Sequence, residues 1–390
     1  MSTLIHRIAT AVPPYAYHQE YAADCMKRWV NDRTLQRMVH HVYRQSGIDR
    51  RFSVLPDFQP GATGGIFGEQ ADGTLVEPTT GQRNDLYRQA YPPLVEAAVR
   101  RAFAQTPWLL PEDVTHLITV SCTGFCNPGP DLHIAATCGL RGDVERYHIG
   151  FMGCYAAFPA LRMADQFCRA RPDAVVLVVC VELCSLHLQI KPSSDLLLAN
   201  ALFADGAAAV LVSARALPDG ASGMRLDHFA TRLVPDSARD MAWTIGDRGF
   251  DMVLSSYVPK ILALHAKHLV TDLLAGCRDN GAGITEWAVH PGGKAILQAF
   301  EQQLGWSGET GALAHAHRIL HQYGNMSSVT ILFVLEAILA DPAFMASTQV
   351  GALAFGPGLT VEFAHLTVCG TRPMAQPAEP DASHQVASHA

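Results

Sequence analysis

One cysteine lies where a reactive thiol is expected. Cys154 is in the segment GCYAA at 153–157, between an apolar stretch and a segment whose apolar residues have helical spacing. A thiol at the start of a helix is near the positive end of the helix dipole, which favours the thiolate. Its small neighbours leave room for a thioester. The pattern predicts a nucleophile, provided that Pro159 falls within the first turn of the helix.

A histidine and an asparagine are the candidate partners of this cysteine. His290 ends an apolar strand and is followed by the segment PGGK at 291–294, where bare glycine backbone lets a ligand approach closely. Asn325 stands in the segment YGNMSS at 323–328, just before an apolar helix. Its alternative role is a helix N-cap, for which the two following serines compete.

Together, these three side chains meet the needs of a Claisen condensation. The thiolate accepts an acyl group, and the imidazole pairs with it. N–H groups of His290 and Asn325 then stabilise the negative charge that builds on a thioester oxygen as a malonyl group decarboxylates. This chemistry needs CoA thioesters and no metal or redox cofactor. The alternative for Cys154 is that it is one of ten cysteines buried as small core residues.

Composition and charge narrow the class of protein. The chain has 390 residues, of which 49% are hydrophobic and 17% charged, and a net charge of −7. An acidic chain without a basic run is a poor nucleic-acid binder. The most apolar window, Ala174–Val181, is far shorter than the roughly 20 residues of a membrane span, and we find no signal peptide. These features predict a soluble, cytoplasmic protein with reduced thiols.

Strand-like and helix-like stretches alternate, which favours an α/β fold. Predicted strands are Val114–Ser121, Ala174–Val181, Ala207–Ser213 and Glu286–His290, with Gln349–Phe355 and Leu359–Leu366 as a hairpin; predicted helices are Asp131–Cys138, Tyr257–Leu274 and Ser327–Leu339. A stretch rich in Pro, Gly, Ala and Ser at 216–222 separates two predicted halves, 1–215 with the cysteine and 223–370 with the histidine and asparagine. The tail 371–390 has no apolar periodicity and is predicted to be disordered.

Five ordered motifs resemble those of chalcone-synthase-like, type III polyketide synthases. They are GCYAA at 153–157, ALFADGAAA at 201–209, HPGGKAIL at 290–297, YGNMSSVTILF at 323–333 and FGPGLTVE at 355–362. The resemblance implies a thiolase fold, in which two similar αβαβα halves form a five-layered core. It also implies a homodimer and a cavity that a CoA tunnel connects to solvent. The implied reaction is iterative condensation of malonyl-CoA onto an acyl-CoA starter.

The resemblance also implies roles for particular residues. Cys154, His290 and Asn325 match the catalytic triad, and Phe203 matches a gatekeeping phenylalanine. Further matches on the substrate side are Gly292, Gly293 and Ala295 along the pantetheine arm, Ser327, and Arg37, or alternatively Arg44, at the CoA phosphates. Asn127 takes the place of a side chain that crosses the dimer interface.

The cavity positions depart from the plant pattern. They are Cys122, Thr123, Cys184, His187, Trp243 and Met252. These changes argue against a p-coumaroyl starter and a chalcone product. The resemblance is instead to bacterial members that use fatty acyl-CoA starters and make alkylresorcinols or alkylpyrones. Whether CoA or an acyl carrier protein delivers the starter stays open.

Several alternatives compete with this interpretation. Two C-x3-C pairs, Cys122/Cys126 and Cys180/Cys184, could suggest zinc, but the spacing is not C-x2-C. A ketoacyl synthase III-like enzyme would condense once, and a catalytically silent homologue would only bind acyl groups. Three histidines at 315, 317 and 321 are predicted to form a solvated helix face, because no acidic partner is near them in sequence.

Overall fold

The computed structural model describes residues 2–30, 32–60, 65–69, 75–191, 193–255, 257–306, 311–344 and 346–370. The strands are β1 (Leu4–Ala11), β2 (Tyr15–His18), β3 (Arg50–Ser53), β4 (Gly68–Glu69), β5 (Leu75–Val76), β6 (His116–Ser121), β7 (Glu145–Gly150), β8 (Val175–Leu183), β9 (Asp205–Ser213), β10 (Ser222–Leu233), β11 (Met241–Gly246), β12 (Gly249–Leu254), β13 (Ile284–Val289), β14 (Gln349–Gly356) and β15 (Thr360–Gly370). The helices are α1 (Gln19–Trp29), α2 (Arg33–Gln45), α3 (Thr80–Ala104), α4 (Pro130–Thr137), α5 (Ala157–Ala170), α6 (Ser194–Leu202), α7 (Val258–Leu274), α8 (Lys294–Leu304), α9 (Ala314–Tyr323) and α10 (Thr330–Ala340). The predicted tail lies outside the described residues.

Nine strands form one mixed sheet in the order β13-β14-β15-β10-β1-β9-β8-β6-β7. The last five strands of this order come from the N-terminal half and the first four from the C-terminal half. A short antiparallel ladder joins the halves, with Leu4 opposite Arg225 and Ile5 opposite Met224. The predicted hairpin is present, since β14 and β15 pair antiparallel.

Continuous apolar sequence explains the central strands. Every residue of β8 and of β9 is buried, as expected for strands covered by helices on both faces. In β8, Val178 pairs with Val210 of β9 on one side and with Ile118 of β6 on the other. A strand that is paired along both edges is held rigidly, and β8 therefore fixes the position of the loops that follow it.

Helices lie in layers on the two parts of the sheet. On the N-terminal part, α3 packs against β1, β8 and β9, and α5 contacts β6, β8 and β9. Both α5 and α10 also contact strands of the C-terminal part, so they lie between the two parts. The pair α7 and α8 packs together, and α7 contacts β10. Helix and sheet layers thus alternate, and the loops that lead into α5 and α10 meet at the centre.

The prediction of a solvated helix face at residues 315, 317 and 321 is wrong for His315. His315 is buried, and its ring nitrogens lie 3.1 Å from a carboxylate oxygen of Glu286 and 3.1 Å from one of Asp341. Both acids are far from His315 in sequence, at β13 and just after α10. His317 has a carboxylate partner as well, at 2.7 Å in Glu301. The fold supplies the acidic partners that the local sequence lacks.

None of the helices in the described ranges combines the length and the apolar character that crossing a bilayer requires.

Candidate active site

Cys154 lies in the tight turn between β7 and α5. The turn needs positive backbone angles, with φ 57 at Phe151 and φ 82 at Gly153. Cys154 comes three residues before Ala157, the first residue of α5, on the side of the positive end of the helix dipole. Pro159 is the third residue of α5, so it falls within the first turn, where its missing N–H leaves no hydrogen bond unmade.

Replacing Gly153 by alanine is expected to displace this turn. A Cβ at Gly153 would lie 2.4 Å from Cδ of Pro357, and the residue already has φ +82. Strain of this kind costs about 1–3 kcal/mol, so we expect a lower melting temperature and loss of most activity. Gly142→Ala is the matched control, because a Cβ there meets nothing within 4 Å. Equal melting temperatures and activities of the two variants would contradict the expectation.

His290 directly follows β13 and extends its pairing with β14, since its backbone N–H donates to the Leu353 carbonyl at 2.7 Å. The side chain is 1% exposed. Burial lowers the pKa of His290 to about 3, so the ring is neutral at physiological pH. Among the described residues, neither ring nitrogen has a hydrogen-bond partner. An unsatisfied buried imidazole of this kind needs a partner that the cavity or a substrate must provide.

Hydrogen bonds of both its backbone and its side chain hold Asn325 in place. Its N–H donates to the Leu202 carbonyl at 2.9 Å, and its side-chain Oδ1 accepts from the Ser327 N–H at 2.9 Å. The Nδ2 group donates to the Gly292 carbonyl at 3.2 Å, which fixes the orientation of the amide. The N-cap residue of α10 is Val329, so Asn325 does not have the alternative capping role.

These three side chains line one cavity of about 630 Å³. Its wall consists of Cys122, Thr123, Gly153, Cys154, Cys184, Phe203, Met241, Ala242, Trp243, Met252, Leu254, His290, Gly292, Ile296, Asn325, Ser327, Phe355 and Pro357. The fold therefore brings together residues from both halves, as well as most of the predicted cavity positions. Gly293, Ala295 and Arg37 are not part of the wall. Gly293 is buried behind it, whereas Ala295 and Arg37 are exposed.

Burial dominates the electrostatics of the thiol. It raises the pKa of Cys154 to about 12, although hydrogen bonding from Ser327 and Asn325 opposes the shift. The helix dipole alone therefore does not produce a free thiolate here. A neutral thiol and a neutral imidazole in one largely apolar cavity can ionise together, because each charge then compensates the desolvation of the other.

A second cavity of about 410 Å³ adjoins the first through shared lining residues. Cys184, Phe203, Trp243 and Met252 line both cavities. We call these four side chains the partition between the cavities. The Trp243 indole N–H donates to the Cys122 carbonyl at 3.2 Å, which holds the ring in place. His187 belongs to this second cavity, where its ring stacks on Phe250 with centroids 3.9 Å apart.

Glu182 is a buried acid that the sequence reasoning missed. Its carboxylate accepts from the Cys122 N–H at 2.9 Å, the Thr123 hydroxyl at 2.9 Å and the Ser328 hydroxyl at 2.6 Å. Burial raises the pKa of Glu182 to about 7. The available signal was a lone charge inside an apolar strand, VVLVVCVEL. Glu182 joins the loop after β6 to the turn before α10, so it positions two walls of the cavity.

A cationic groove lies on the other side of the Gly292–Lys294 segment. Its polar lining comes from Lys294, His317, Arg318 and His321. Lys294 packs closely on Gly47, since a Cβ built there would lie 3.1 Å from the lysine Cδ. The groove is lined by Lys294, the residue directly after Gly293. It was not predicted from the sequence.

The two cysteine pairs do not come together as a metal site. Cys122 and Cys184 line the cavity, and Cys180 is buried in β8. Within the described ranges, no cluster of three or more His, Cys, Asp or Glu side chains is arranged to hold a metal ion.

Two family models match almost the whole described chain. The N-terminal domain of chalcone and stilbene synthases matches residues 2–216, and their C-terminal domain matches residues 225–369.

Curated relatives and solved structures agree with these matches. The α-pyrone synthesis polyketide synthase-like protein Pks18 of Mycobacterium tuberculosis is 32% identical over 92% of this chain and 89% of its own. The 1,3,6,8-tetrahydroxynaphthalene synthase of Streptomyces peucetius is 31% identical over 93% and 92%, respectively. The crystal structure of PKS-I from the brown alga Ectocarpus siliculosus superposes with a TM-score of 0.84 and 29% identity, covering 94% of this chain and 98% of that one. The fold expectation is therefore confirmed, and the chain belongs to the chalcone and stilbene synthase family as a type III polyketide synthase with the thiolase fold.

Proposed function

We propose that this enzyme loads a fatty acyl group from acyl-CoA onto Cys154, extends it repeatedly with malonyl-CoA, and cyclises it to an alkylresorcinol or alkylpyrone. The observation that carries the proposal is the meeting of a thiol, an imidazole and an amide N–H in one largely apolar cavity. A relative named for α-pyrone synthesis supports a lactone product. The substrates are CoA thioesters, and the proposed chemistry uses no other cofactor.

In the loading step, His290 takes the proton of the Cys154 thiol, and the thiolate attacks the starter thioester carbonyl. The carbonyl oxygen becomes an oxyanion, and the C–S bond to CoA breaks as the carbonyl reforms. The proton on His290 then passes to the leaving CoA thiolate. The neutral ring at pH 7 suits this role, because an imidazolium could not accept the proton.

In the extension step, malonyl-CoA loses CO2, and the electron pair of the broken C–C bond forms an enolate. N–H groups of His290 and Asn325 hold the enolate oxygen. The enolate carbon attacks the Cys154 thioester, a new C–C bond forms, and the Cys154 thiolate leaves. The lengthened chain, now on CoA, returns to Cys154 for the next cycle. Gly292 leaves space at the cavity wall for the thioester arm.

The cationic groove beside Gly293 is our candidate for the phosphates of CoA, with Lys294 and Arg318 as ligands. Lys294→Glu is expected to raise the KM for malonyl-CoA about tenfold, with little change in kcat, because a charge-assisted phosphate contact is worth about 1.5–3 kcal/mol and becomes repulsive. Arg37→Glu, on the exposed face of α2, tests the contact proposed from the family motif. An unchanged KM for malonyl-CoA in Lys294→Glu would show that the CoA phosphates bind outside this groove.

Trp243→Gly is expected to change the product. The indole separates the two cavities, so its removal joins spaces of about 630 and 410 Å³. We expect longer starters to be accepted, or more extensions before cyclisation, as seen by mass spectrometry of products. Met252→Leu, a swap of similar volume in the same partition, is the control. Products identical to those of the unmodified enzyme would remove Trp243 from any role in limiting chain length.

The direct test of the proposed function counts condensations. The enzyme is incubated with isotope-labelled malonyl-CoA and a panel of short, long and aromatic acyl-CoA starters, and products are identified by mass spectrometry. Several malonyl units per fatty acyl chain support the proposal. A single unit would indicate a ketoacyl synthase III-like enzyme, and no product would indicate a silent acyl-binding homologue. Activity with an acyl carrier protein thioester alone would change the proposed donor.

We also propose a cytoplasmic homodimer, each subunit of which consists of the two halves 1–215 and 223–370. Asn127 is exposed, and the nearby side chains of Phe125 and Leu132 are 39% and 42% exposed, which leaves an apolar surface for a second subunit. All ten cysteines are free thiols, in keeping with a reducing compartment. Sedimentation equilibrium tests the dimer, and Asn127→Arg should weaken it.

A further inference from the structure

Helix α7 has an exposed face on which apolar and basic side chains alternate. Tyr257, which precedes the helix, is 61% exposed and Leu264 is 82% exposed. Lys260 and Lys267 are exposed three residues after each of them. With 3.6 residues per turn, these four side chains fall on one face. Buried residues such as Leu262 form the opposite face, so the exposed apolar groups take no part in packing the core.

This face begins close to the wall of the cavity that contains Cys154. Leu254, at the end of β12, lines the cavity, and Tyr257 follows three residues later. Ile296, in the first turn of α8, lines the same cavity. Three residues of chain therefore place Tyr257 within about 11 Å of the cavity wall at Leu254, and α7 packs against the helix that carries Ile296.

The charges on this face are positive and unpaired. Among the described residues, no carboxylate lies within ion-pair distance of Lys260, Lys267 or Arg232. The Lys260 ammonium lies over the Tyr257 ring, 5.3 Å from its centroid. Arg232 donates to the backbone carbonyl of Asp272 near the end of α7, which brings the end of β10 into the same surface. Asp272 is the one acidic residue of α7; it is exposed near the end of the helix and is not one of the four residues of this face.

Large apolar side chains flanked by lysines on a convex helix are typical of proteins that lie on a bilayer. The lysine stems reach along apolar surface and keep their ammonium groups at the level of phosphate headgroups. We propose that the face formed by Tyr257, Lys260, Leu264 and Lys267 binds the surface of an anionic lipid bilayer. An exposed leucine and tyrosine enter the boundary between headgroups and acyl chains, while the lysines contact lipid phosphates.

This binding places the cavity wall at Leu254 close to a lipid surface, where long-chain substrates and products concentrate. The lipid contact itself does not depend on which starter the enzyme uses, so the two proposals can fail separately. If the product proves to be a short or aromatic polyketide, vesicle binding remains a measurable property of α7.

The test is co-sedimentation of the full chain with vesicles of phosphatidylcholine alone and of phosphatidylcholine with phosphatidylglycerol. We expect binding to the mixed vesicles, weakened by salt. Tyr257→Ser with Leu264→Ser, and separately Lys260→Glu with Lys267→Glu, should each reduce the partition coefficient at least about tenfold. Leu110→Ser is the control, because Leu110 is also 55% exposed but precedes the turn at 111–113 in the other half.

Circular dichroism and activity with a short, water-soluble starter verify that each variant is folded. The proposal is overturned if the unmodified enzyme binds neither vesicle, or binds both equally. It is also overturned if either double variant binds as well as the unmodified enzyme, or if Leu110→Ser loses as much binding as they do.

Discussion

The Cys154→Ala variant is expected to make no polyketide, with turnover reduced by about 10⁴-fold or more, the scale seen when a covalent nucleophile is removed. The physical reason is that, in the proposed mechanism, acyl transfer and chain extension both pass through the sulfur. The side chain sits in a turn whose geometry depends on Gly153 rather than on the thiol, so the fold should be kept. Intact-mass spectrometry after incubation with acyl-CoA should show an acyl adduct on the unmodified enzyme and none on the variant.

Cys184→Ala is the matched control, because Cys184 is another thiol in the wall of the same cavity. Burial raises the pKa of Cys184 well above its usual range, and no imidazole partner has been assigned to it. It should keep the acyl adduct and most of the turnover. If Cys154→Ala still formed the adduct or the polyketide, a different nucleophile would have to be sought.

The pKa values of Cys154 and His290, taken one at a time, do not indicate a reactive site. Burial pushes the pKa of Cys154 up and that of His290 down, so each group by itself is neutral and inert at pH 7. Transfer of one proton between them creates two opposite charges, and their attraction offsets part of the desolvation. In the proposed mechanism, reactivity is therefore a property of the pair, and an apolar cavity strengthens the attraction between the two charges.

Elements with uninterrupted apolar sequence could be predicted well. The predicted strand Ala174–Val181 corresponds to β8, and the predicted helix Tyr257–Leu274 corresponds to α7 within one residue at its start. In both cases a long apolar or amphipathic pattern determines the element. The start of α10 was predicted at Ser327, three residues too early, because Ser327 has φ 50 and a short 3-10 turn precedes the helix. A local conformation of this kind leaves no mark on hydrophobic periodicity.

The triad and most of the cavity positions could be proposed from the motifs, but the buried partners and the second cavity around them could not. Glu182, His315 and the cationic groove all depend on partners that are distant in sequence, such as Ser328 and Asp341. The partition between the cavities likewise depends on a hairpin, β11 with β12, that brings Trp243 opposite Met252. Such contacts follow from tertiary packing, which a single sequence does not encode in any local pattern.

Asn325→Ala is expected to separate decarboxylation from acyl loading. The amide N–H is assigned to the enolate oxygen, and removing one donor of this kind costs about 10²–10³ in rate, or about 2.7–4 kcal/mol. Loading uses the Cys154–His290 pair, so it should fall by less than about tenfold. Release of labelled CO2 from malonyl-CoA measures the first step, and the rate of acyl-adduct formation by rapid quench measures the second.

Asn325→Asp distinguishes the donor from a merely structural role. Aspartate keeps an oxygen to accept from the Ser327 N–H, as Oδ1 does now at 2.9 Å, but it loses the Nδ2 donor. A carboxylate also repels the enolate, so decarboxylation should be slower than in Asn325→Ala, while the turn before α10 is kept. If Asn325→Asp instead restored decarboxylation, Asn325 would act through its acceptor oxygen, by holding Ser327 in place. If both variants lost loading and decarboxylation equally, Asn325 would act by holding Gly292 and Ser327 rather than by binding the enolate.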